Sequence, residues 1–102
     1  MMNMDILMSS AEPMEAEELD TIDSTETTLS ARVILYNDEW HTFEEVTTQI
    51  IKATQCSVDR AEALTWEVHS RGLSNVFEGD FMKCLRVSGI LEQIDLRTNV
   101  EC

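Results

Sequence analysis

Three polar residues follow directly after a short, mostly apolar run, and their side chains can bind a cation. Asn37, Asp38 and Glu39 follow the run Arg32–Tyr36, and His69 lies further along the chain. An ammonium group presents three N–H donors in a compact group, so it needs several acceptors that converge at hydrogen-bond distance. The amide oxygen of Asn37, the carboxylate of Asp38 and one ring nitrogen of a neutral His69 would supply them. These residue types favour the binding of an amine over the catalysis of a reaction.

The number of acceptors also predicts which amine is preferred. An internal peptide group offers a single N–H, so the buried acceptors that it leaves unpaired would reject it. The free α-amino group of a chain end would satisfy them. Asp38 and Glu39 would disfavour acidic first residues.

The charge of the chain narrows the classes of partner. The 102 residues carry a net charge of −13, and a chain of this length forms one domain at most. Residues 1–30 hold eight acidic and no basic residues, whereas residues 31–102 hold twelve acidic and seven basic ones. Because nucleic acids and anionic membranes are polyanions, we expect neither as a partner. Cationic groups and other proteins are the expected partners.

Residues 1–30 have the composition of a disordered segment. They mix acidic, Ser/Thr and small residues, and they cannot bury enough apolar surface to offset the entropy lost on ordering. We therefore expect an acidic, disordered N-terminal extension, followed by a folded domain at residues 31–102. The extension serves either as a solvated tail that aids solubility or as an arm that another protein grasps. Its charge does not separate the two.

The cysteines and the hydropathy of the chain indicate its compartment. Three cysteines, an odd number without CxxC spacing, do not suggest a disulfide framework, so a reducing compartment and a cytoplasmic location are expected. No targeting signal and no stretch of transmembrane length is visible in the sequence. Cys84 lies on an apolar helical stripe and is expected in the core. Neither a cofactor nor a metal is expected.

Two other chemistries would use residues of this chain. A Cys–His enzyme would use Cys56, which precedes a helix start where a thiol can be activated. No third orienting group and no oxyanion loop accompany it, so we expect no enzyme. A metal site would use His41, His69 and Asp38, whose spacing does not match that of common metal motifs.

Local signals place these residues on secondary structure. The run Val33–Tyr36 is rich in β-forming residues and predicts a strand. Thr42 followed by Glu45 is a capping box at a helix start, and Ser57 caps a second helix that Gly72 ends. The apolar residues of the first helix recur at helical spacing and predict a core stripe; they are Phe43, Val46, Ile50 and Ala53.

The C-terminal half completes a small mixed domain. Leu73–Glu78 predicts a strand. Gly79 and Asp80 are expected to turn the chain, with Asp80 as the N-cap of a third helix. That helix is apolar around much of its girth and should pack against a sheet, and Leu96–Val100 predicts a last strand. The order β-α-α-β-α-β predicts an α+β two-layer sandwich, with three helices packed on one face of a small three-stranded sheet.

These motifs, in this order, resemble the ClpS family of adaptors, which hand proteins with an N-terminal degradation signal (an N-degron) to a Clp ATPase–protease. The resemblance rests on the segments Arg32–Glu39, Ser57–Ala61 and Val68–Gly72, with Val46 between the first two. It spans the predicted domain at residues 31–102 and implies the same fold.

The resemblance also implies roles for individual residues. The positions of Asn37, Asp38 and His69 are similar to those that hold the α-amino group of the substrate in the family. Phe43 falls where the family often has a methionine at the mouth of a hydrophobic pocket. The other positions line that pocket or its rim; they are Val46, Thr65 and Val68 in the pocket, and Glu39 and His41 at the rim.

The chain departs from the family's frequent run Asn-Asp-Asp-x-Thr-Pro-Met at the start of the first helix. Here the run is Asn37–Phe43, and the proline is absent. Phe43 is bulkier and stiffer than methionine and is expected to narrow the pocket mouth, which leaves the preference among Leu, Phe, Tyr and Trp open. Trp40 and His41 are large enough to flank the ligand or to contact the ATPase.

Taken together, the resemblance implies a monomeric adaptor that binds N-terminal Leu, Phe, Tyr or Trp. It would deliver the substrate to a ClpA- or ClpC-type AAA+ ATPase, with the acidic extension engaging that ATPase. The alternative is a regulator of the same fold that binds the ATPase without binding N-degrons. A related domain occurs in large eukaryotic ubiquitin ligases. The short chain favours a bacterial-type adaptor, and a plastid homologue is left open.

Overall fold

The computed structural model describes residues 29–102, so the expected extension at residues 1–30 falls almost entirely outside the described residues. The described part follows the predicted order β-α-α-β-α-β. Its elements are β1 (Ser30–Tyr36), α1 (Phe43–Thr54), α2 (Val58–Arg71), β2 (Leu73–Asp80), α3 (Phe81–Glu92) and β3 (Arg97–Glu101).

The strand that leads into the polar residues lies in the centre of the sheet. The strand order is β2-β1-β3, and both pairings are antiparallel. Tyr36, at the end of β1, pairs with Leu73 at the start of β2 and with Arg97 at the start of β3. The backbone N–H of Asn37 then donates to the carbonyl of Gly72 at 2.9 Å. The backbone of Asn37 is therefore held by Gly72, and the preceding Tyr36 is held by both neighbouring strands.

The three helices begin at the predicted caps. Thr42 accepts a hydrogen bond from the N–H of Glu45 (3.1 Å), and the Glu45 carboxylate accepts one from the N–H of Thr42 (2.9 Å), which confirms the capping box. Ser57 and Asp80 cap α2 and α3 with a single hydrogen bond each, accepted from the backbone N–H of Arg60 and of Lys83. A cap of this kind contributes about 1 kcal/mol. Gly72 ends α2 with a φ of 90°, a left-handed conformation that favours glycine.

The core lies between the sheet and the helices, which confirms the two-layer α+β sandwich. Val33 and Leu35 of β1 are fully buried and pack in one apolar cluster with residues from all three helices. Cys84 belongs to that cluster and has 0% exposure, as predicted. Burial raises the pKa of its thiol above the ordinary value. Beside Cys84, the most buried helical members of the cluster are Ile50, Ala53, Ala61, Leu64, Val87 and Leu91.

Two predicted boundaries were wrong in detail. Gly79 and Asp80 do not form a separate turn, because both continue β2 by pairing with Ala31 and Ser30. Asp80 is the last strand residue and the helix cap at once, so the change of direction needs no extra residues. The last strand begins after Leu96, which is 4% exposed and packs in the core instead. Within residues 29–102, no helix is long and apolar enough to span a membrane.

Candidate functional site

The loop between β1 and α1 is organised by the carboxylate of Asp38. Its Oδ1 accepts hydrogen bonds from the backbone N–H groups of Trp40 (3.1 Å) and His41 (2.9 Å). This is the local turn that aspartate favours, because its short side chain reaches the backbone two and three residues on. The loop therefore has a defined shape before any ligand is considered.

The second oxygen of Asp38 meets a histidine from the same loop. His41 Nδ1 lies 2.6 Å from Asp38 Oδ2, and His41 Nε2 lies 2.6 Å from the carbonyl oxygen of Ile94, which follows α3. The two side chains of the ion pair are 8% exposed for His41 and 21% for Asp38. His41 thus ties the loop to the connection between α3 and β3.

The protonation of this pair is set by two opposing influences. For His41 the largest single influence is burial, which favours the neutral ring and lowers the pKa. The hydrogen bonds to Asp38 and Ile94 and the negative charge of Asp38 together outweigh burial, so the pKa of His41 is raised. Burial is also the largest influence on Asp38 and raises its pKa, yet the bonds from His41 and Trp40 dominate and leave that pKa lowered. Both shifts favour the charged pair.

The predicted amine-binding residues surround one small cavity. Asn37, Asp38 and His69 line it together with the predicted pocket residues. The cavity measures about 10 Å³, which leaves room for about one water molecule at most. Its lining consists of Tyr36, Asn37, Asp38, His41, Val46, Thr65, Val68, His69 and Leu96.

The hydrogen-bond acceptors at the cavity differ in whether they already form hydrogen bonds within the protein. Asn37 and His69 are exposed, and within residues 29–102 neither side chain forms a hydrogen bond. Thr65 is 1% exposed; its hydroxyl donates to the carbonyl of Ala61 (2.8 Å) and lies 2.8 Å from the hydroxyl of Thr47. Because that hydroxyl is already satisfied, Thr65 offers a ligand mainly its methyl group.

Two predicted site residues lie apart from the cavity. Phe43 packs against Trp66, with 5.2 Å between the ring centroids, and it borders a separate shallow depression. Phe43 is the first residue of α1, and its ring faces Trp66, an exposed residue of α2. Glu39 is exposed and does not line the cavity. The predicted roles of both residues at the mouth and rim remain predictions.

Sequence reasoning missed two residues that line the cavity, Tyr36 and Leu96. It also missed the carbonyl of Ile94, which lies outside the cavity lining and accepts a hydrogen bond from His41. The available signal was the pairing of the last strand with β1, which brings the residues before Arg97 next to Asn37. A larger groove of about 510 Å³ lies on the far side of His41 and is bordered by Trp40, Glu44, Glu45, Thr48, Gln49 and Ile94.

The metal alternative gains no support from the geometry. Among residues 29–102, no group of three His, Cys, Asp or Glu side chains is placed to hold a metal ion. Both ring nitrogens of His41 already face oxygen atoms of Asp38 and Ile94, so this histidine has no free ligand atom.

Comparisons with known proteins point to one family. The family described as "ATP-dependent Clp protease adaptor protein ClpS" matches residues 26–99. Among solved structures, the chain is similar to that of Agrobacterium tumefaciens ClpS2 bound to L-phenylalaninamide. The TM-score is 0.68 and the sequence identity 18%, over 72% of this chain and 96% of the other. At this identity the likeness shows a shared fold. No curated protein sequence gives a significant match.

Proposed function

The chain belongs to the ClpS family of ATP-dependent Clp protease adaptors, and from this premise we propose that it binds proteins through a hydrophobic N-terminal residue. The observation that supports this proposal most directly is the convergence of Asn37, Asp38 and His69 on one cavity. Beside Tyr36 and His41, the rest of the cavity wall consists of Val46, Thr65, Val68 and Leu96.

The acceptors at this cavity fit an α-ammonium group. Asn37 and His69 each offer an unengaged acceptor. A carboxylate has about four acceptor positions, and Asp38 uses three of them for Trp40 and for the backbone and ring of His41. One position is left for the ligand. Three donors would therefore meet three acceptors, which an acetylated or internal nitrogen cannot do.

The apolar walls supply the preference for a large first side chain. Full burial of a Leu, Phe, Tyr or Trp side chain contributes about 1.5–3 kcal/mol. A cavity of about 10 Å³ does not admit such a side chain until its walls move apart, so part of that free energy is spent on opening. The solved relative is bound to L-phenylalaninamide, a compound with a free α-amine and a large apolar side chain, and this supports the proposed ligand class.

The adaptor role implies delivery to a protease. We propose a ClpA- or ClpC-type AAA+ ATPase as the partner and the acidic extension as the arm that contacts it. The support is the family together with the eight acidic residues and no basic residue of residues 1–30. That segment lies almost wholly outside the described residues.

One observation favours the second candidate, a regulator that binds the ATPase without binding N-degrons. The cavity is nearly closed, and Phe43 packs on Trp66 instead of lining it. If the walls cannot separate, the cavity cannot admit the first side chain of a substrate, and only the interaction with the ATPase is left.

Fluorescence anisotropy with short peptides decides between the two. The peptides differ only in their first residue (Phe, Leu or Ala), and each is prepared with a free and with an acetylated amine. We expect binding of the free Phe and Leu peptides and no measurable binding of the acetylated ones, because acetylation removes the charge and most of the donors. Equal affinity for an acetylated Phe peptide would contradict the amine site. No binding of any peptide, with retained binding to the ATPase, would favour the regulator.

A further inference from the structure

His41 stands where the family's frequent run has a threonine, and it is bonded at both ring nitrogens. We propose that His41 is a positioning residue of the amine site. As an imidazolium held between the Asp38 carboxylate and the Ile94 carbonyl, it fixes the loop that presents Asn37 and Asp38. This inference rests on the proposed function.

The bonding partners determine the charge of the ring. The Ile94 carbonyl can only accept, so the nitrogen that faces it at 2.6 Å, Nε2, carries a proton. The proton between Nδ1 and Asp38 Oδ2 lies on the ring. A carboxyl group is ordinarily a much stronger acid than imidazolium, and two backbone N–H groups stabilise this carboxylate at Oδ1. His41 therefore has two N–H groups and a positive charge.

The end of α3 adds a second reason for a cation at this place. The last carbonyls of a helix lack intrahelical partners and form the negative end of its dipole. The Ile94 carbonyl lies just beyond Glu92 and Gln93, where the chain leaves α3, and Asp95 then adopts a left-handed φ of 65°. An N–H from a charged ring satisfies this carbonyl and complements the field of the helix end.

The other charged groups near the ring act in both directions. Glu44 and Glu45 of α1 border the same groove as His41 and favour its positive charge. Arg97 shares a cavity with Asp38 and Trp40 on the other side of the loop and opposes it. Within residues 29–102, further titratable groups around the pair are Asp95, at that same cavity, and Tyr36 and His69, at the small cavity.

Loss of the proton breaks one of the two contacts. A neutral ring has one N–H and one lone pair, and a lone pair facing an acceptor oxygen at 2.6 Å is repulsive, so one of the bonds must open. The bond to the neutral carbonyl of Ile94 is the weaker one. The loop then loses its tie to the α3–β3 connection, although the two backbone bonds to Asp38 remain. Binding should weaken without being abolished.

The charge of the ring also has an opposing effect on the substrate. An imidazolium repels the ammonium of the ligand, and losing the proton would relieve that repulsion. Asp38 carries the opposite charge 2.6 Å away, so the pair has no net charge and its repulsion of a partly solvated ammonium is weak. The loss of position is therefore the larger effect, and affinity should fall as His41 loses its proton.

The experiment measures peptide affinity against pH for the full chain and for His41→Gln, which is neutral at every pH. The probe is a peptide with a free N-terminal Phe. The ratio of the two affinities cancels the titration of the peptide amine, which both proteins share. We expect wild type to bind about tenfold more tightly near pH 6, and the ratio to approach one as the pH rises through the raised pKa of His41.

Two further measurements complete the test. Thr48→Ala changes the groove beside His41 without removing either member of the Asp38–His41 pair. The ratio of the wild-type affinity to the affinity of this variant should not change with pH. His41→Thr, the family's frequent residue at this place, should behave like His41→Gln and replaces it if that variant does not fold. Nitrogen-detected NMR of the histidine side chains in the full chain should show both ring nitrogens of His41 protonated at pH 6.

The outcomes separate the inference from the proposed function. If wild type binds the peptide but the ratio of its affinity to that of His41→Gln stays constant or grows with pH, the positioning role of His41 is overturned and the proposed function is not. A neutral His41 ring at pH 6 in the NMR spectrum would overturn that role as well. Failure of wild type to bind the peptide at any pH would overturn the proposed function, and the positioning role with it.

Discussion

His41 and His69 border the same cavity, one from the loop before α1 and one from the last turn of α2, and their surroundings make them different groups. The His41 side chain is 8% exposed and has an oxygen atom 2.6 Å from each ring nitrogen. The His69 side chain is exposed, and within residues 29–102 its ring forms no hydrogen bond. One histidine is part of the framework, and the other is open to a ligand.

The difference teaches how one residue type can have two different roles at the proposed amine site. A histidine between two acceptors is stabilised in its charged form. A histidine that is to accept a bond from an ammonium must instead be neutral, because the imidazolium has no lone pair. The proposed function therefore uses His69 as a neutral acceptor, whereas the proposed positioning role uses the charged ring of His41. The number and kind of neighbours decide the role of each ring.

The largest effect is expected where the two roles meet, at Asp38. Asp38→Ala removes the partner of the His41 ring, the acceptor of two backbone N–H groups and one acceptor for the ligand. We expect it to lower the free energy of unfolding by about 1.5–3 kcal/mol and to weaken peptide binding by more than tenfold. Urea denaturation and anisotropy measure the two. Unchanged binding in a folded variant would show that Asp38 serves the loop only.

His69→Ala sharpens the comparison, because it should affect binding alone. We expect affinity for a free Phe peptide to fall about tenfold or more, since a charge-assisted hydrogen bond is lost. The urea midpoint should stay the same, because the exposed ring makes no bond in the described chain. The matched control is Ser70→Ala, at the next, also exposed position of the same helix turn. Loss of stability in His69→Ala would place His69 in the framework with His41.

The pH dependence of stability tests the framework role of His41. Its pKa is raised in the folded state, so its contribution is complete below the unfolded value of about 6.5 and is lost as the pH rises through the folded pKa. The lowered pKa of Asp38 gives a contribution that is present above about 3.9 and lost as the pH falls through its folded value. Wild type should therefore exceed His41→Gln in stability by about 1 kcal/mol between those limits. Urea denaturation at pH 5 to 9 measures the difference, and a gap that widens toward pH 9 would contradict it.

The smallest effect on the site is expected from the acidic extension. Both histidines and all the residues that line the cavity lie within residues 36–96, so deletion of residues 1–28 should leave the stability and the peptide affinity unchanged. It should slow degradation of an N-degron reporter by a reconstituted Clp protease, because the arm is proposed to contact the ATPase. Equal degradation rates with and without these residues would reduce the arm to a solubility tail.

Features that depend on near neighbours in the chain were predictable. The caps at Thr42, Ser57 and Asp80 and the helix end at Gly72 involve atoms at most four residues apart, so the order of residues is enough to recognise them. The other left-handed helix end, Gln55 with a φ of 64°, gave no such signal. Its conformation follows from the short connection between two packed helices and not from the preference of glutamine.

The grouping of the three residues proposed to bind the amine was predictable from the sequence, whereas the shape of the cavity that they line was predictable only in part. A strand followed by Asn37 and Asp38, and a helix that ends near His69, place all three by local rules once their elements pack together. What only the tertiary structure decided lies between distant residues. His41 meets the carbonyl of Ile94 across 53 positions, and Phe43 turns to Trp66. Such contacts depend on how the layers pack, because neither partner is within reach of the other until the core between sheet and helices has formed.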